Sequence, residues 1–183
     1  MKLDVRSLIF SALSLCLFAS VTVAAQELSS RDKNLLQAIA KKDGEKALRL
    51  LRNTGVSANI TDPTGRTALM NAVASGLTEV VKDLLERGAE VNVKSKEGQT
   101  ALMLAADFGH TEAVRLLLAK GADCKVKDQD DWTALQYATM RVDAAAEEKK
   151  KNYEEIVRIL KEAEKPPVTN AANPSPAPVG KPE

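Results

Sequence analysis

His110 is the only histidine among 183 residues, so any reading that moves a proton through an imidazole must place its site there. Ser/His/Asp and Cys/His catalysis both need such a group to activate a nucleophile. A metal site built on several histidines is excluded. The paired carboxylates, Asp130-Asp131 and Glu147-Glu148, are adjacent in the chain, a spacing that suits solvated charge better than an acid and a base facing each other across a substrate. No phosphate-binding loop, dinucleotide fingerprint or nucleophile elbow occurs. The expectation is a protein without catalysis, cofactor or metal. Its rival is an enzyme acting through His110 and nearby carboxylates.

The elements that would hold these residues are set by a period. Thr67-Ala68-Leu69, Thr100-Ala101-Leu102 and Thr133-Ala134-Leu135 recur every 33 residues. Gly65 and Gly98, Ala72 and Ala105, Gly76 and Gly109, Leu84 and Leu117, and Gly88 and Gly121 keep the same interval. A fixed interval of this size marks stacked repeats rather than one closed core. Leu69, Ala72, Val81, Leu84 and Leu85 fall at three- and four-residue spacings on two short helical stretches, each with one apolar stripe. Neither stripe can be buried within its own unit, so neighbours must cover each other. Gly88 and Gly121 stand where a helix ends in a left-handed residue.

Written out, Asp62-Pro63-Thr64-Gly65-Arg66-Thr67-Ala68-Leu69, then Ala72, Gly76, Val80-Val81, Leu84-Leu85, Gly88-Ala89 and Asn92, resembles the ankyrin repeat, with Ala68 where that family usually carries proline. The next unit matches from Gly98 to Asp123 and includes the Gly109-His110 pair, whose histidine in that family makes local backbone hydrogen bonds. A third keeps Trp132-Thr133-Ala134-Leu135, puts Asp131 in place of glycine, and recovers the pattern at Glu155 to Leu160. Val157 stands 24 positions after Thr133, against 14 from Thr67 to Val81, so this unit carries a 10-residue insertion. Upstream, Leu35 to Lys42 and Ala47 to Leu51 resemble a degenerate first unit closing at Asn59. The resemblance implies an all-α solenoid of four stacked helix-turn-helix units with hairpin loops, at about 31–61, 62–94, 95–127 and 128–164, with the outer two as caps.

Such a stack presents hairpin tips and inner-helix faces at roughly 10 Å intervals, an extended concave surface suited to a protein partner. The resemblance places contacts at tip residues Arg66, Lys96, Gln99, Gln129, Asp130 and Trp132, and at inner-helix ends Ser75, Asp107, Phe108, Met140 and Arg141. Trp132, the sole tryptophan, lies in a polar segment, where an exposed aromatic makes a binding hot spot. The alternative is that it folds back over its own hairpin, and for Phe108 the alternative is partial packing. The insertion, without Gly or Pro and rich in Ala, Glu and Lys, predicts an early-starting final helix from Ala144, capped by Asp143 and carrying a Glu147–Lys151 pair. It is either a longer solvated cap helix or an element that engages a partner.

Residues 1–25 read as a secretory signal: Lys2 and Arg6, an apolar run from Leu8 to Val23, then Val23-Ala24-Ala25 ahead of a cut before Gln26. A retained anchor and a lipoprotein modified at Cys16 are the alternatives. The whole chain has 26 basic and 25 acidic residues; cleavage removes Lys2, Arg6 and Asp4 and leaves 24 of each. Such neutrality argues against general nucleic-acid or anionic-membrane binding. Cys124 is then the sole cysteine, in the slot of Val91, and reads as a buried small apolar residue rather than a reactive thiol. Residues 26–165 form the repeat domain, and 166–183 a proline-rich tail expected to be extended and disordered, with Pro174 to Pro178 as a weak ligand motif. Together these imply a monomeric periplasmic module that binds another protein, as accessory factor or inhibitor of an enzyme or toxin. The alternative is a secreted, host-directed effector.

Overall fold

A computed structural model describes residues 29–53 and 55–165, so the expected leader and the expected tail lie outside the described residues. Among the described residues there are eight helices and one isolated antiparallel bridge, Thr61 to Thr67. The expected all-α repeat fold is what forms. In chain order the helices are α1 (Ser30–Ala40), α2 (Gly44–Asn53), α3 (Ala68–Ala74), α4 (Thr78–Glu86), α5 (Ala101–Phe108), α6 (Thr111–Ala119), α7 (Ala134–Ala144) and α8 (Glu147–Ala163). Two compact units divide them: α1 to α4 in the unit ending at Glu90, α5 to α8 in the unit starting at Val91.

Within the first unit the inner helices α1 and α3 pack together, as do the outer helices α2 and α4; in the second, α5 pairs with α7 and α6 with α8. The reason is the apolar stripe. Leu35, Ile39 and Leu51 bury beside Leu69, Ala72, Val81 and Leu84, while Leu102, Ala105, Val114 and Leu117 bury beside Ala138, Ile156 and Leu160. No single helix pair could hide these side chains alone.

Each of the three later inner helices starts at a threonine of the 33-residue period. Thr67, Thr100 and Thr133 accept through their hydroxyls from the backbone N–H three residues on, at 3.1, 3.4 and 3.4 Å. These bonds satisfy donors that a helix start leaves open. At the far end of α4, Gly88 donates to the Leu85 carbonyl at 3.2 Å and Ala89 to that of Leu84 at 3.0 Å; Gly121 and Ala122 repeat the pair on Leu118 and Leu117 at 3.0 Å each. This pairing is the Schellman closure, with both glycines in the left-handed region as their sequence position predicts.

The insertion departs from its expected arrangement. Asp143 does not cap a helix beginning at Ala144, because α7 runs on to Ala144 with Asp143 inside it. Nothing in the composition breaks that ladder until Ala145 turns extended, at φ −82° and ψ 144°. Helix α8 then starts at Glu147, behind Ala146, which has no side-chain oxygen to offer. Glu147 pairs with Lys150, at 3.8 Å, rather than with Lys151. The inserted residues are thus shared between a lengthened inner helix and an outer helix of 17 residues.

Candidate protein-binding surfaces

A hairpin tip precedes each later inner helix, and one residue organises each tip. In the first unit Asp62 donates its N–H to the Arg66 carbonyl and accepts at its own carbonyl from Gly65, both at 2.9 Å. Its carboxylate accepts from the Thr64 N–H at 2.8 Å, the Arg66 N–H at 3.1 Å and the Asn71 amide at 2.9 Å. Burial works to raise its pKa, and the bonds from Thr64, Asn71 and the backbone outweigh it, holding the carboxyl below the usual range. Behind this tip lies a groove of about 510 Å³ between α1 and α3, walled by Leu36, Ala40 and Ala74 with Lys33, Asp62 and Ser75. The Ser75 hydroxyl is held by the Ile39 carbonyl at 3.3 Å, and Arg66 is half-buried.

The second unit carries two tips, organised by Ser95 and Asp128. Ser95 donates its N–H to the Gln99 carbonyl at 2.9 Å. Asp128 does the same with Trp132, at 3.1 Å, and its carboxylate accepts from the N–H groups of Asp130 and Trp132 at 3.0 and 2.9 Å. Its other oxygen accepts from the Tyr137 hydroxyl at 2.6 Å, and that hydroxyl in turn accepts from the Gln99 amide at 3.3 Å. Burial again works to raise the Asp128 pKa, and the Tyr137, Trp132 and Asp130 bonds bring it below the ordinary value. Tyr137 moves the opposite way, raised by burial and by its bond to Asp128, so it stays a donor at neutral pH.

These two tips are laced together. The Gln129 side chain donates to the Lys96 carbonyl at 2.7 Å, its N–H to that of Glu97 at 3.3 Å, and the Lys94 ammonium to that of Lys127 at 2.7 Å. Only glycine fits at position 98: its φ is +80°, and a Cβ there would lie 2.9 Å from the Gln129 nitrogen. Asp130 stays exposed. The Trp132 ring turns back onto Tyr137, with centroids 5.4 Å apart, yet remains half-buried rather than enclosed.

At the inner-helix ends of the same unit, Arg141 binds the Asp107 carboxylate at 2.7 Å, and the Tyr153 hydroxyl donates to the Asp107 carbonyl at 3.0 Å. Phe108 is 47% and Met140 44% exposed, and the Phe108 ring is packed in part, stacked on that of His110 at 6.2 Å. Residues absent from the sequence expectation are Asp128, Tyr137 and Tyr153. A signal for two existed: Asp128 and Tyr137 stand two periods from Asp62 and Asn71, which make the same bond.

His110 stands at the N-cap of α6. Its N–H donates to the Ala105 carbonyl at 2.9 Å, and among the described residues no three His, Cys, Asp or Glu side chains are grouped so as to hold a metal. No described helix is long and apolar enough to cross a membrane. Cys124 is buried, and burial, followed by the Glu164 carboxylate, pushes its thiol pKa up.

Paired short helices, hairpin tips tied by a polar residue and glycine-closed outer helices define a helix-turn-helix repeat protein. Residues 9–95 and again 80–171 match the family described as ankyrin repeats in three copies. The chain belongs to the ankyrin-repeat family, whose repeats are protein-interaction modules and typically carry no catalysis. No curated protein matches it.

Proposed function

We propose that this chain is an exported, non-catalytic adaptor of the bacterial envelope that holds a partner protein through the tips and inner-helix ends of its second unit. The observation that carries this reading is the Trp132–Tyr137 pair: a large aromatic surface fixed at a hairpin tip by Asp128, half-open, with Gln99 beside it. Rigid aromatics flanked by polar groups concentrate binding energy. Exposed Phe108 and Met140 extend the apolar area beside the Asp107–Arg141 pair. The partner is an enzyme or toxin of the same compartment, which this protein assists or inhibits.

Trp132→Ala is expected to weaken capture of the partner from an envelope extract by about thirtyfold, equivalent to about 2 kcal/mol, with an unchanged melting temperature. Unchanged capture by Trp132→Ala together with Gln99→Ala rejects the surface. Osmotic-shock fluid should contain the protein; recovery from culture fluid alone would point to an effector instead.

A further inference from the structure

The insertion does more than lengthen a cap. It brings α8 across the turn between α5 and α6 and encloses a cleft of about 140 Å³, walled on one side by Phe108, Gly109 and His110 and on the other by Lys149, Asn152 and Tyr153. The three α8 residues share one helix face, being three and four positions apart. Gly109 permits the approach: a Cβ there would meet the Tyr153 ring at 3.0 to 3.2 Å.

Charge in this cleft has one sign. Lys150 is paired with Glu147, whereas the Lys149 ammonium and the Asn152 amide have no partner among the described residues. No carboxylate lines the walls. The Asp107 carboxylate is taken by Arg141, and the Tyr153 hydroxyl by the Asp107 carbonyl. Lys149 and Asn152, both exposed, thus line with unpaired donors a space that would hold about five waters, close to the bulk of a glutamate side chain. The exposed Phe108 edge supplies a wall for its methylene stem.

Resting on the interaction reading above, we propose that this cleft receives a glutamate side chain of the partner protein, its carboxylate accepting from Lys149 and Asn152. Such a contact is charge-assisted and sets register more than it adds raw affinity.

The test is an NMR titration of the purified chain with acetyl-Ala-Glu-Ala-amide, with its Gln counterpart, and with free glutarate. The Glu peptide is expected to shift the Asn152 side-chain amide and the Gly109 backbone amide, the Gln peptide to bind at least fivefold more weakly, and Lys149→Glu to abolish the shifts without changing the melting temperature. Equal titration by both peptides, no shift with either, or shifts that persist in Lys149→Glu would overturn the assignment. Glutarate binding more tightly than the Glu peptide would also overturn it, since the site would then serve a free dicarboxylate. Failure here with capture still lost in Trp132→Ala refutes the cleft alone; capture indifferent to Trp132 refutes the adaptor surface.

Discussion

Two residues occupy backbone positions that the middle repeats reserve for glycine. Asp131 has φ 62°, where Gly65 and Gly98 have 77° and 80°, and Lys42 has φ 57°, in the place of Gly76. A side chain in this region costs about 1 kcal/mol, offset in part by the greater freedom that glycine gives the unfolded chain. Asp131→Gly should therefore raise stability by about 0.5 kcal/mol, read as a higher urea midpoint with an unchanged slope. The Lys127–Asp131 pair that it removes, at 3.6 Å and well exposed, contributes little. Asp128→Ala should act in the opposite sense, costing about 1–2 kcal/mol at pH 7 through the lost tip bonds. Because the folded carboxyl sits below its unfolded value, its contribution is complete above about pH 4 and disappears as the pH falls through the folded pKa. The gap between the variant and the parent should close in acid; a gap that persists there would show that ionisation is not what ties the tip. Cys124, buried and raised in pKa, should react with a thiol reagent only as fast as the protein opens.

Helix faces were legible before any coordinates, because burial follows spacing: Leu84 and Leu117, one period apart, are both fully buried. Leu117→Ala should cost about 2–5 kcal/mol in chemical denaturation. Helix ends were legible only where a residue type enforces them. The glycines at 88 and 121 were placed from the chain, whereas the break at Ala145-Ala146 has no such marker, and α8 starts three residues beyond the place that Asp143 indicated. Alanine neither starts nor stops a helix by its own chemistry, so packing of Tyr153, Ile156 and Leu160 decided where α8 begins. Gly109→Ala tests that packing. The added methyl meets the Tyr153 ring at a φ of +75°, and a loss of about 1–3 kcal/mol with faster amide exchange in the first turns of α8 is expected.

For the molecule as a whole, the proposed export predicts removal of residues 1–25: the mature protein should begin at Gln26 by N-terminal sequencing, and an intact Met1 in the envelope fraction would contradict it. What the chain by itself determined was the class of protein, since a 33-residue period forces each unit to hide its apolar stripe against a neighbour, and that requirement is written locally in every unit. Neutral charge and a lone histidine likewise narrowed the function without any fold. Tertiary structure alone decided how Trp132 lies, because its seat is made by Tyr137 and Asp128 acting together, and it alone decided that Lys149 and Asn152 line one cleft with His110. Those walls come from residues about forty positions apart, joined by an outer helix that an insertion displaced from the common register. A repeat pattern describes what successive units share, and the cleft exists where the last one departs from it.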